Sequence, residues 1–120
     1  MPSPPEDCLF CRLVADGEHV HAADGFVAIR DINPIAETHL LVLPERHIDT
    51  FKEVAEFPDD EAARMLRFVA ETAKTAGLGD YRVLVHVGAG AGQTVFHLHW
   101  HVLGGRPNTE RIAQALAATA

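Results

Sequence analysis

Long apolar stretches are missing from this chain of 120 residues. The longest strictly apolar run lies around Leu40 to Leu43, far short of the ~20 residues that span a bilayer as a helix. The opening Met-Pro-Ser-Pro-Pro-Glu-Asp has neither the basic nor the apolar region of a leader, so a soluble, cytoplasmic protein without a membrane partner is expected. Basic surplus is missing too. Ten Lys and Arg stand against seventeen Asp and Glu, and the formal charge of -7 would repel a polyanion, which argues against nucleic acid as the main partner. Cysteine is scarce: two residues, Cys8 and Cys11, cannot form the disulfide framework of a small secreted domain and suit a metal or a redox pair better. Repeats, linkers and biased tails are absent, and hydrophobic residues at 48% leave enough apolar surface to bury a core. A single domain over 1–120 is expected.

What the chain has in quantity is histidine, eight residues in all, the side chain most suited to metals and proton transfer near neutral pH. The patterning around them reads as an antiparallel α+β domain. Cys8 to Ala15 predicts a short helix stopped by Gly17. Three strands, His19–Ala22, Phe26–Asp31 and Thr38–Leu43, are separated by Asp24-Gly25 and Asn33-Pro34 turn signals. Asp59 and Asp60 start one long helix that ends near Gly77 and places Ala63, Leu66, Val69, Ala70 and Ala73 on one face. Tyr81–Val87 and Thr94–Leu103 are again strand-like, joined by a glycine-rich loop, Gly88 to Gly92. Arg111–Ala118 predicts a terminal helix.

His97, His99 and His101 alternate with Leu98, Trp100 and Val102, so an extended backbone puts the imidazoles on one side and the core residues on the other. One metal bound by all three is disfavoured by geometry. At about 3.3 Å per residue the outer two Cα atoms lie ~13 Å apart, too far for parallel side chains to converge on one ion. A division of labour along the row follows, one end structural and the other catalytic. The loop before it is suited to an anion, because residues without Cβ let backbone N–H groups turn inward, and Gln93 and Thr94 add side-chain donors. A neutral imidazole beside a bound phosphate can attack phosphorus.

The run Gly88-x-x-x-Gly92-Gln93-Thr94-Val95-x-His97-x-His99-x-His101-x-x-Gly104-Gly105-Arg106 resembles the histidine triad (HIT) family, as do Cys8-x-x-Cys11, Asp31-Ile32-x-Pro34 and Thr38-His39 upstream of it. The resemblance covers about residues 8–106 and leaves 107–120 as a C-terminal extension. Within the family the chain looks most like the purine nucleoside phosphoramidases. The resemblance implies a homodimeric HIT-like fold with a central antiparallel sheet, one long helix and short terminal helices. It implies hydrolysis of nucleoside monophosphate derivatives such as adenosine phosphoramidate.

By motif position, the resemblance makes His99 the nucleophile that becomes nucleotidylated, His101 the contact to phosphate or leaving group, and His39 the residue that orients the nucleophile. Gly92 and Thr94 would hold phosphate oxygens with Gln93 nearby, and Asp31 would accept the ribose hydroxyls. Leu9, Phe10, Leu13, Ile29 and Ile32 would wall the purine pocket. Some relatives, including bacterial members and the galactose phosphate uridylyltransferases, bind zinc through residues that correspond to Cys8, Cys11, His47 and His97. Two thiolates and two imidazoles suit a closed structural zinc site.

Two departures from the family pattern stand out. His86, near the expected ribose and phosphate, occupies a position that is usually asparagine in the phosphoramidase branch, and the tryptophan-bearing tail of some relatives is not found here. The leaving group therefore stays open between a phosphoramidate, a dinucleoside polyphosphate and a nucleotidyl acceptor. A nucleotide- or zinc-binding interaction module of low turnover is the reading from a different class.

Overall fold

The Asp24-Gly25 pair adopts positive φ at both residues, 57° and 89°, the backbone of a two-residue hairpin turn whose twist matches its flanking strands. In the computed structural model, which describes residues 7–107 and Ala113, this turn joins β1 (His21–Ala23) to β2 (Phe26–Arg30). Further elements are α1 (Leu9–Asp16), β3 (Ala36–Pro44), α2 (Asp59–Thr75), β4 (Tyr81–Leu84) and β5 (Trp100–Pro107). The strands form one sheet in the order β1-β2-β3-β5-β4, with every neighbouring pair antiparallel. This is the expected α+β architecture. The helix expected over Arg111–Ala118 lies, Ala113 apart, outside the described residues, as does the proline-rich lead-in. Among the described residues no helix is long and apolar enough to cross a membrane.

Both faces of the central strands are covered, which is why β2 and β3 read as nearly continuous apolar runs. Phe26, Ala28, Leu40 and Val42 face α2 and join Met65, Phe68 and Val69 in the larger core cluster. Val27, Ile29, Leu41 and Leu43 face the other way and pack with Phe10 and Cys8 beneath α1. Acidic residues Asp59, Asp60 and Glu61 open α2 against its positive end, and Gly77 at φ 77° closes it.

Three expectations are corrected. The buried face of α2 is Met65, Phe68, Val69, Thr72 and Ala73, while Leu66 is 57% exposed and Ala70 is also exposed. The helix is turned by about one residue, ~100°, because Met65 and Phe68 remove more apolar surface from water than Ala63 and Leu66 would. β5 begins at Trp100 rather than Thr94; Val95 to His97 bend, and this stretch is tied down by the Leu98 N–H donation to the Ile48 carbonyl (2.7 Å), by the Gln93 amide on the Val95 carbonyl and by the His97 ring on the Pro44 carbonyl. β4 ends at Leu84, paired with His101, three residues short of the expected Val87. A 3₁₀ turn at Phe51–Glu56 was not anticipated.

Candidate active site and metal centre

Between α1, the end of β2 and the start of β5 lies a cleft of about 250 Å³. Leu9, Phe10, Leu13, Ile29 and Ile32 line it, all five residues expected as its apolar wall. Phe10 is buried and stacks its edge on the His99 ring (centroids 4.9 Å apart), whereas Ile32, 91% exposed, stands at the mouth. Asp31, Thr94, His99 and His101 supply the polar lining. Leu41 and Val95 line it too and were not singled out from sequence, since both read as ordinary core.

Hydrogen bonds settle which imidazole nitrogen carries each proton. His99 donates from Nδ1 to the His97 carbonyl at 2.8 Å, which leaves a lone pair on His99 Nε2. Ile35 N–H donates to His39 Nδ1 (3.2 Å), so the His39 proton sits on Nε2, 2.9 Å from His101 Nδ1 and 3.3 Å from Asp31 Oδ2. His101 therefore accepts at Nδ1 and keeps its proton on Nε2, a buried atom with no hydrogen-bond partner among the described residues. His99 offers a lone pair and His101 offers a proton, with ring centroids 5.1 Å apart.

Burial keeps these rings neutral. It pushes the His101 pKa down to about 3, helped by His99, His39 and His86 nearby. Burial likewise lowers His99, which the bond to the His97 carbonyl only partly opposes, and it lowers His39 against the attraction of Asp31. Asp31 Oδ1 accepts from Asn33 N–H (2.8 Å) in a local turn, and both carboxylate oxygens keep a second lone pair for a hydroxyl.

The glycine loop differs from the expected open nest. A 3₁₀ turn at Ala89–Ala91 uses its own donors: Ala91 and Gln93 N–H bond to the Gly88 carbonyl, and Gly92 N–H bonds to the Ala89 carbonyl. Gly88 and Gly92, at φ 89° and 95°, allow this tight closure. Gln93 is buried as a clip rather than presented to substrate. Its amide nitrogen donates to the Asp49 carbonyl (2.8 Å) and the Val95 carbonyl (3.0 Å), and its oxygen accepts from Gly88 N–H (2.9 Å). Thr94, exposed on the cleft, adds a hydroxyl donor to its lining. His86 stands outside that lining, donating from Nδ1 to the Ala91 carbonyl at 2.8 Å.

Cys8, Cys11, His47 and His97 bring four donor atoms within 4.8 Å of one another. His97 Nδ1 lies 3.4 Å from each sulfur, and His47 Nδ1 lies 3.3 Å from Cys11 Sγ. The far nitrogens are held: His97 Nε2–H donates to the Pro44 carbonyl (2.8 Å) and His47 Nε2–H to Asp49 Oδ1 (2.7 Å). Both lone pairs thus face the sulfurs, the outer-shell arrangement that orients metal-binding imidazoles. Burial, then the neighbouring Cys8, pushes the Cys11 thiol up to about 11, a cost that a bound cation reverses by stabilising thiolate. The donor set therefore fits a tetrahedral zinc ion. Asp49 was missed from sequence, though its place two residues after His47 was a readable signal. His97 belongs to this cluster and His101 to the chain of Asp31 and His39, so the ends of the histidine row serve different centres.

The chain matches the HIT domain family over residues 12–108. It is 33% identical over 107 residues to the purine nucleoside phosphoramidase of Escherichia coli (strain K12), covering 85% of this chain and 90% of that one. The solved HIT family hydrolase from Clostridium thermocellum superposes with a TM-score of 0.76 at 35% identity, covering 83% of this chain and 91% of that one. A zinc-bound histidine triad family protein from Mycobacterium smegmatis superposes with a TM-score of 0.69 at 25% identity, covering 97% and 94%.

Proposed function

This chain belongs to the HIT domain family, and from that premise we propose that it hydrolyses purine nucleoside phosphoramidates through a nucleotide held covalently on His99. The observation that carries the reading is the tautomer pair: His99 Nε2 bears a lone pair and His101 Nε2 bears an unpartnered proton in one cleft. The purine would lie against Phe10, Leu13 and Ile29, the ribose hydroxyls would donate to Asp31, and Thr94 would hold a phosphate oxygen.

In the first step the His99 Nε2 lone pair bonds to phosphorus while the phosphorus–nitrogen bond breaks toward nitrogen. The leaving nitrogen takes the His101 Nε2 proton and departs as an amine, leaving His101 as an imidazolate that the His39 Nε2–H steadies at Nδ1, its charge balanced by the cationic nucleotidyl-His99 ring that still holds its Nδ1 proton. Water then attacks the nucleotidyl-His99, returns a proton to His101 Nε2 and releases the nucleoside monophosphate. The His97 carbonyl holds His99 throughout.

Zinc in the Cys8, Cys11, His47 and His97 cluster would act structurally, fixing the start of α1 against His97. The working unit would be a homodimer. β4 ends one side of the sheet with Tyr81 and Val83 exposed, so a second copy pairing there would continue the sheet and cover apolar surface.

Turnover of a fluorogenic adenosine phosphoramidate, with intact-protein mass recorded after rapid quench, tests the reading. Wild type should release product and show a nucleotidyl adduct, and His99→Ala should do neither while still binding nucleotide. Turnover that survives in His99→Ala would remove the covalent assignment. Release from a dinucleoside polyphosphate alone would instead favour an anhydride-cleaving member of the family.

A further inference from the structure

His86 sits just past β4, where the chain has left the ladder, and its ring stands at 88° to that of His101 with centroids 5.3 Å apart. A carbonyl only accepts, so the 2.8 Å contact with the Ala91 carbonyl puts the His86 proton on Nδ1 and leaves Nε2 as a bare acceptor. Among the described residues no hydrogen bond engages that Nε2. The two neighbouring rings therefore carry complementary groups, a donor at His101 Nε2–H and an acceptor at His86 Nε2.

Resting on the phosphoramidase reading, we propose that His86 is a specificity residue that accepts the N–H of an amine leaving group and so favours phosphorus–nitrogen substrates over anhydrides. The nitrogen of a secondary phosphoramidate has one lone pair and one hydrogen. As phosphorus bonds to His99 Nε2, the phosphorus–nitrogen electron pair stays on nitrogen, that nitrogen takes the His101 proton, and the product is a neutral amine. Throughout this step its original N–H can point at His86, which gains and loses no proton. A bridging anhydride oxygen has lone pairs only. It satisfies His101 equally well but turns an acceptor toward the His86 acceptor, a mismatch of the kind that sets specificity where one partner is left unpaired.

The experiment is a cycle of two substrates and three proteins. The substrates are a matched pair of adenosine 5′-phosphoramidates of the same amine, one bearing the N–H and one N-methylated; the proteins are wild type, His86→Phe and His86→Leu. Both variants remove the acceptor, and the pair is used so that a folding failure in one leaves the other to decide. N-methylation should lower wild-type kcat/KM by about fivefold to tenfold more than it lowers that of the variants, the worth of one uncharged hydrogen bond. An equal penalty in all three proteins overturns the role of His86 while the phosphoramidase reading stands. Turnover of neither substrate by wild type, without a nucleotidyl adduct, overturns both.

Discussion

The His97 carbonyl accepts the Nδ1 proton of His99 at 2.8 Å, while the His97 imidazole points its own Nδ1 at the sulfurs of Cys8 and Cys11, 3.4 Å away. One residue thus sets the tautomer of His99, the proposed nucleophile, with its backbone and belongs to the candidate metal cluster with its side chain. The N-terminal wall of the cleft is tied to the same point, because Cys8 caps α1 with its sulfur and Phe10 follows two residues later.

Cys8→Ser should lower zinc content, measured by elemental analysis, and lower Tm by roughly 5 °C for each kcal/mol lost. Nucleotide affinity should weaken as well, because α1 loses its anchor. Zinc content equal to wild type would remove Cys8 from the ligand set.

Phe10→Ala should destabilise the fold by about 3 kcal/mol, since a buried ring is lost from the cluster beneath α1. It should also raise the nucleotide Kd, because the same ring walls the cleft and braces His99. Chemical denaturation and calorimetric titration of adenosine monophosphate report the two effects separately. Unchanged affinity in a folded variant would place the purine elsewhere.

Stability should fall in acid. His101 is held down to about 3 in the fold against an ordinary 6.5, so between those values the unfolded chain binds a proton that the folded chain does not. This contribution is fully present above about pH 6.5 and is lost progressively as the pH falls toward 3. Tm measured on metal-free protein should be level above pH 7 and decline below 6.5, and His101→Gln should flatten part of that decline. A Tm that holds level from pH 6.5 to 4 would contradict the buried, neutral state of the ring.

Light scattering should give twice the 13.1 kDa chain mass at micromolar concentration. Val83→Arg, at an exposed position of β4, should shift that mass toward the monomer by burying a charge in the pairing surface. A dimer that survives this change would place the interface away from β4.

Much of this was legible in the residues themselves. Asp24-Gly25 announced the hairpin, Asp59 and Gly77 bracketed α2 within about two residues, and the apolar positions Leu9, Phe10, Leu13, Ile29 and Ile32 do line one cleft. The face of α2 was misread because two apolar stripes overlap at Val69 and Ala73, and only packing against the sheet favours the stripe holding Phe68. From sequence Gln93 reads as a substrate donor, because its partners, the Asp49 carbonyl and Gly88 N–H, are backbone groups that carry no sequence signal.

By itself the sequence determined that His97, His99 and His101 share a side opposite Leu98 and Val102, since successive side chains alternate along an extended backbone even where no ladder forms. The spacing also argued against one ion shared by the outer two, and the fold places them in separate donor groups. Tertiary structure alone decided which nitrogen of each ring is free, because that depends on the His97 and Pro44 carbonyls, the Ile35 N–H and the Asp49 carboxylate arriving from other parts of the chain. A proton's place on an imidazole is set by the hydrogen bond its other nitrogen makes, and those partners meet only when the chain folds.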